Sequence, residues 1–561
     1  MTKKNIFLYT SLVTLVALVT FKVVLAQPVK PPPTVGIVII ETGAEDGVWL
    51  ESIKMIHILK RLGIDVKVMT GLHFGSLYDE TGNPIKGNRL TGDYYIKIPG
   101  EKTKAPKILQ KVYIDPKLTP RHPIASEIFD KNFEEVHPKT GKIRPKHVSS
   151  IQQRQMARQI DDFNSEIFRS ISDWVKREDI RLIISQNANA IPIHLALGVA
   201  LRRVIDQLKL PAIFHNHDFF WERGKRYLGS PYPYVRRLLK DFFPGVTPSH
   251  VEHMVINDHN LNILKERFDL KAKKIVNVMN FEDSDFAKED EYNRTLWFDF
   301  KKLFKKNTGV ELPENALLLG QVTRVVRRKN IEASIQLLEH LNDLRGDQRV
   351  ILVVTGTESP GDKTQYKDKL VQLIQRKNLE SQVAWISEII GPHRRVMNDG
   401  RKIYSLSDFY SLINKRGIMT YPSTYEGFGN ALVEALLAKV FIVVNRYKPV
   451  YDQEIGSKLL DGKKLQIVEY DDGIIDQEMA KKVNRYLTDL TNSKESTKTK
   501  VEHNFKLGKK YFSYPVAEKV IRQTLEKFPE FKSYIRKKLS SLKSSRQQVT
   551  FKSRCSRILK N

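Results

Sequence analysis

Cysteine is almost absent: one residue, Cys555, stands within the last seven of 561. No intrachain disulfide and no cysteine-based zinc site can therefore form. Acidic residues are also short, 64 Asp and Glu against 93 Lys and Arg, which leaves a net charge of +29. The 29 Gly and 25 Pro are too few for a collagen-like or low-complexity chain, and 41% hydrophobic residues exclude wholesale disorder. Such a basic surface attracts anions, whether nucleotide, nucleic acid or anionic lipid. A nucleic-acid partner would require a basic patch interleaved with aromatics on a recognised module, and the sequence has none. At roughly 100–200 residues per domain, the length allows two or three domains.

Both ends stand apart from the fold. Residues 1–33 combine a basic start (Lys3, Lys4), an apolar stretch from Ile6 to Phe21 and small residues ending at Ala26. This pattern reads as a cleaved secretory signal, or as a membrane anchor with Lys22 snorkelling to the interface. The first reading puts the protein in the secretory pathway or outside the cell, the second on a membrane. After Glu530 no acidic residue occurs, while ten Lys and Arg follow. Residues 531–561 thus read as a basic tail, either solvated or in contact with an anionic membrane surface.

Between the ends, apolar runs alternate with helical periodicity. Thr34–Ile40 is a continuous apolar run suited to a strand buried on both faces. A glycine-bearing loop, a helix from Trp49 to Leu62 and a strand at Asp65–Met69 follow, making one β-α-β unit. Residues 72–150 interrupt with prolines and mixed polar content and read as an insertion of short strands and long loops covering one end of the first domain. Alternation resumes with a helix marked by Met156, Ile160, Phe163, Ile167, Ile171 and Trp174, and with strands at 181–185, 212–215 and 253–256. The basic segment 285–314 reads as a linker. A second run then places strands at 316–321, 350–355, 383–387, 417–421 and 441–445, with helices between them. The expected class is α/β: two Rossmann-like, doubly wound parallel-sheet domains, 34–284 and 315–530, facing across a cleft.

Chemistry concentrates in Tyr421–Ala435. A strand ends, Glu426 follows, Gly427, Phe428 and Gly429 form a Gly-x-Gly turn, and a helix begins at Asn430. Free backbone N–H groups and the helix dipole favour a phosphate there. Glu434, about 6 Å of rise into the helix, is placed to accept sugar hydroxyls. Arg324 and Lys329 bracket the turn after the first strand of the same domain and supply cations for a diphosphate. The Asp471–Asp472 pair reads as a solvated turn.

Glu426 and Glu434, with seven residues between them, together with Gly427, Phe428, Gly429, Arg324 and Lys329, resemble the retaining glycosyltransferases of family 4, which have the GT-B fold. Further similar segments are Asp46-Gly47-Val48, His217 to Arg223, Val278 to Phe281, Asn445-Arg446-Tyr447 and Tyr511 to Tyr514. The resemblance spans roughly residues 34–525, with the insertion left out. It implies hexose transfer from a nucleotide diphosphate sugar to an acceptor hydroxyl with retention. It also implies that Arg324 and Lys329 bind the diphosphate and that Gly427, Phe428 and Gly429 lend backbone N–H groups. Glu434 would hold the ribose, Glu426 the transferred sugar, Gly47 would approach the phosphates across the cleft, and His217 would orient the sugar. Val276 stands where the family often has proline. Glu222 and Arg223 read as an ion pair near the cleft. No catalytic metal is expected, because Arg324 and Lys329 bring the charge a divalent ion would supply. Competing readings are a sugar phosphorylase, a nucleotide-sugar epimerase, and a non-catalytic carbohydrate- or membrane-binding protein.

Overall fold

The computed structural model describes residues 31–540 apart from 44–46, 86–90, 99–107, 134–146, 228–229, 246–247, 278–290, 348, 359–364, 392–393, 398, 457–462 and 539. The signal or anchor segment and the tail beyond Ser540 thus lie outside the described residues. In the N-terminal lobe, β1 (Thr34–Thr42) is central, flanked by β2 (Asp65–His73) and β5 (Ile180–Gln186). The sheet continues through β6 (Ala212–Asn216), β7 (Val251–Val255) and β8 (Ala272–Lys274), all parallel. β1 reads as an unbroken apolar run because both of its faces are covered by helices, not one.

The segment 72–150 does more than cover one end. Its strands β3 (Gly92–Ile98) and β4 (Ile108–Ile114) extend the sheet beyond β2, with β4 parallel to β2 and β3 antiparallel at the edge. Half-exposed strands of mixed polarity carry too weak an alternation for their pairing to show in sequence.

The C-terminal lobe is a six-stranded parallel sheet. In chain order its strands are β9 (Leu317–Gln321), β10 (Val350–Val354), β11 (Val383–Trp385), β15 (Gly417–Tyr421), β16 (Ile442–Asn445) and β17 (Val468–Tyr470). Their spatial order, β11-β10-β9-β15-β16-β17, is the doubly wound order with its switch point between β9 and β15. The run does not close at β16: β17 pairs beside it, and its three residues were too short to register as a strand. A small sheet formed by β12 (Ile390–Gly391), β13 (Arg395–Val396) and β14 (Lys402–Ser405) is inserted before β15.

Two boundaries differ from the sequence reading. Helix Glu291–Thr308 buries Leu296, Phe300, Leu303 and Phe304 in the C-terminal core, so this part of the expected linker belongs to that domain. Its lysines occupy the exposed face, which disguised an amphipathic helix as a basic linker. At the other end, helix Tyr514–Leu525 crosses back onto the N-terminal lobe. Helical structure continues there through Lys538, with Phe531 and Ile535 both 1% exposed. Tyr534 donates to the Gly63 carbonyl at 2.7 Å. The first eight residues of the expected tail are therefore packed on the N-terminal domain.

Candidate active site

The switch point sets the site, because loops leaving the carboxyl ends of β9 and β15 diverge there and open a crevice. The loop after β9 runs from Val322 to Asn330 and the loop after β15 from Pro422 to Gly429. Lys329 is buried, and its ammonium donates to Glu426 Oε1. Arg328 Nη1 donates to Glu426 Oε2 at 2.7 Å and to the Tyr425 carbonyl at 2.9 Å. The Lys329 ammonium also lies 5.6 Å from the centre of the Tyr421 ring. Arg324 is exposed at the mouth and close enough for its charge to act on Lys329. Arg328 was not singled out from sequence, since in a run of three cations only the fold shows which one turns inward.

These charges set the ionisation. Burial pushes the Glu426 carboxyl up, but Lys329 and then Arg328 outweigh it and hold the group at about 2. Burial pulls Lys329 below its usual value, opposed by the Glu426 charge. The Glu434 carboxyl is pushed up by burial, against the attraction of Lys54 and a 3.0 Å hydrogen bond from the Tyr410 hydroxyl.

The turn has the form of an anion cradle. Gly429 has φ 111°, and a Cβ there would stand 2.1 Å from Tyr447 Oη, so only glycine fits. Tyr447 donates to the Phe428 carbonyl at 2.8 Å, while the Phe428 ring is buried in the core. Phe428 can therefore offer a ligand its backbone but not its ring. The N–H groups of Gly427, Phe428 and Gly429 have no partner among the described residues. The buried Thr323 hydroxyl, beside Arg324, also lacks one. Unspent donors grouped at a helix start suit an oxyanion ligand.

The opposite wall comes from the N-terminal lobe. His217, just beyond β6, donates its backbone N–H to Asn187 Oδ1 at 3.0 Å, and its Nε2 donates to Gln186 Oε1 at 3.2 Å. Burial and then Lys54 lower its pKa to about 3, so the ring is neutral at physiological pH. Its carbonyl would lie 3.7 Å from a Cβ on Gly427, which brings His217 to the turn. Gly47 starts helix Gly47–Arg61, with open space around its Cα, while the adjacent Asp46 lies outside the described residues. The same helix presents Glu51 and Lys54, paired at 2.5 Å, and Glu51 also bonds Asn430. Sequence reasoning missed this pair, whose helical spacing looks like any surface ion pair.

Further contacts hold the lobes together. Asn257 Nδ2 donates to the Gly427 carbonyl at 2.7 Å, Asn277 Nδ2 to Asn430 Oδ1 at 2.7 Å, and Lys274 Nζ to Glu454 Oε2 at 3.2 Å. The Val278–Phe281 segment lies outside the described residues. So does the Arg223 side chain, while Glu222 is engaged by Phe219, Asn260 and Tyr425 rather than standing as half of a simple ion pair. Asp471 bonds Arg446 at 2.8 Å and Lys448 at 3.0 Å, so it is an ion-pair residue rather than a bare solvated turn.

This architecture is shared with solved sugar-nucleotide enzymes. A sucrose-phosphate synthase from Thermosynechococcus elongatus superposes with a TM-score of 0.51 at 12% identity, covering 88% of this chain and 98% of that one. A trehalose-6-phosphate structure from Escherichia coli, bound with UDP-2-fluoro glucose, gives 0.52 at 10% identity, with 88% and 98% covered. At such identities the likeness establishes the fold, which is GT-B. No protein-family model matches the chain. Curated relatives do: mannosylglucosylglycerate synthases of Petrotoga mobilis and Thermotoga maritima are each 28% identical, over 319 and 374 residues. The matches cover 54% and 64% of this chain, and 66% and 78% of those relatives. The chain is a GT-B glycosyltransferase. In sequence it is similar to hexose-transferring synthases, the two mannosylglucosylglycerate synthases.

Proposed function

We propose that the donor diphosphate lies across the Gly427–Gly429 turn, neutralised by Lys329 and Arg324, with Arg328 holding Glu426 in place. The observation that carries this reading is the Lys329–Glu426–Arg328 cluster beside unspent N–H donors at the switch point. As the glycosidic bond breaks, negative charge grows on the leaving diphosphate and fixed cations bind it more tightly, which lowers the barrier. Glu434 takes the ribose hydroxyls, and Glu426 and His217 the hydroxyls of the transferred sugar. With two cations at the leaving group, turnover needs no divalent ion and survives a chelator.

The similarity to two mannosylglucosylglycerate synthases favours a mannosyl donor and a glucosylglycerate acceptor. The N-terminal segment acts as a signal or anchor and the distal basic tail as a contact for anionic membrane; fractionation with N-terminal sequencing tests both. The transfer reading is tested by incubating the full chain with a panel of nucleotide sugars and measuring nucleoside diphosphate release with and without glucosylglycerate. Acceptor-dependent release, with the product anomer matching the donor by NMR, is expected. Release that requires inorganic phosphate, or epimerised donor without release, would point instead to a phosphorylase or an epimerase.

A further inference from the structure

Glu222 sits in the loop that follows His217, and its two carboxylate oxygens face different lobes. Oε2 accepts the Phe219 N–H at 2.6 Å and Asn260 Nδ2 at 3.1 Å, both within the N-terminal lobe. Oε1 accepts the Tyr425 hydroxyl at 2.9 Å from the C-terminal lobe. Tyr425 immediately precedes Glu426, and its carbonyl is held by the same Arg328 nitrogen that grips the Glu426 carboxylate. Phe219 lies two residues beyond His217. One carboxylate therefore ties the loop that carries His217 to the loop that carries Glu426. Tyr425 is 42% exposed, so packing gives little reason for an aromatic residue at this position.

We propose that Glu222 and Tyr425 are positioning residues whose hydrogen bond latches the lobes in register, setting His217 and Glu426 on opposite sides of the transferred sugar. The latch rests on the donor-site reading above. It bridges the cleft, and it touches neither the diphosphate cradle nor the ribose carboxylate. Its loss therefore acts on the step after donor binding.

Tyr425→Phe removes one oxygen and keeps the ring, so it tests the contact without a folding hazard. Misplacement on the scale of an ångström commonly costs up to about 10²-fold. Loss of one latch among several interlobe contacts is expected to lower kcat about tenfold, with donor KM within about twofold of native. Glu222→Ala is expected to lower kcat similarly, and the double variant to be no worse than the poorer single one, since both remove one contact. Small-angle scattering supplies a readout independent of chemistry: Tyr425→Phe should have a larger radius of gyration than the native chain. Multiplicative losses in the double variant, or a Tyr425→Phe chain with native kcat and native scattering, would overturn the latch. A native chain that turns over no nucleotide sugar while Tyr425→Phe still expands would instead overturn the transfer reading and leave the latch standing.

Discussion

Lys329→Met removes the buried ammonium while keeping most of the side-chain volume against Tyr421. Two consequences can be separated. Withdrawing one preorganised positive group from a leaving group of growing charge typically raises the barrier by about 3–4 kcal/mol. That is roughly a 10²–10³-fold loss in turnover. The effect on folding is smaller. Breaking a buried pair outright costs about 3–5 kcal/mol, but Arg328 still holds Glu426 at 2.7 Å, and the desolvation that pulls Lys329 down disappears with it. A fall in Tm of only a few degrees is expected. The assay is steady-state nucleoside diphosphate release with saturating donor, run beside thermal melting of the same preparations. A folded Lys329→Met chain that retains turnover within about threefold of native would refute the placement of the leaving group beside this residue.

Other outcomes follow from the same geometry. Glu426 is held at about 2 when folded, below its usual 4.5. Its stabilisation is thus present above about pH 4.5 and lost as pH falls toward 2; Tm measured from pH 2 to 7 should fall more steeply in the native chain than in Glu426→Gln. Gly429→Ala forces a Cβ against Tyr447 Oη at positive φ and should lower Tm by several degrees, whereas Gly47→Ala meets nothing within 4 Å and should melt as native. Truncation after Ser540 should leave Tm unchanged, while truncation after Glu530 strips Phe531 and Ile535 from the N-terminal core. Loss of a buried Phe alone costs about 3–5 kcal/mol, so equal melting of the two truncations would contradict the packing described here.

Much of the fold was legible because long, fully buried elements write their period plainly. Tyr366–Arg376 and Gly417–Tyr421 have the boundaries that apolar spacing and flanking turn residues indicate. What stayed hidden was short or doubly constrained. β17 has three residues, β3 and β4 mix polar and apolar residues in a half-exposed part of the sheet, and helix Glu291–Thr308 masks its buried face with lysines. At the site, the glycine turn and its neighbouring glutamates stand out locally because backbone freedom and helix ends have sequence signatures. Arg328, Lys54 and Glu222 matter through partners 98, 380 and 203 positions away, Glu426, Glu434 and Tyr425. Pairings at that separation leave no local trace, so only the fold reveals them.

The arrangement of the leaving group is tested most directly by a crystal structure of the full chain with its nucleoside diphosphate bound. The phosphate oxygens should lie within hydrogen-bonding distance of the Gly427–Gly429 backbone N–H groups and of the Lys329 ammonium, with the ribose on Glu434. Phosphates bound elsewhere, with Lys329 still joined only to Glu426, would contradict the account.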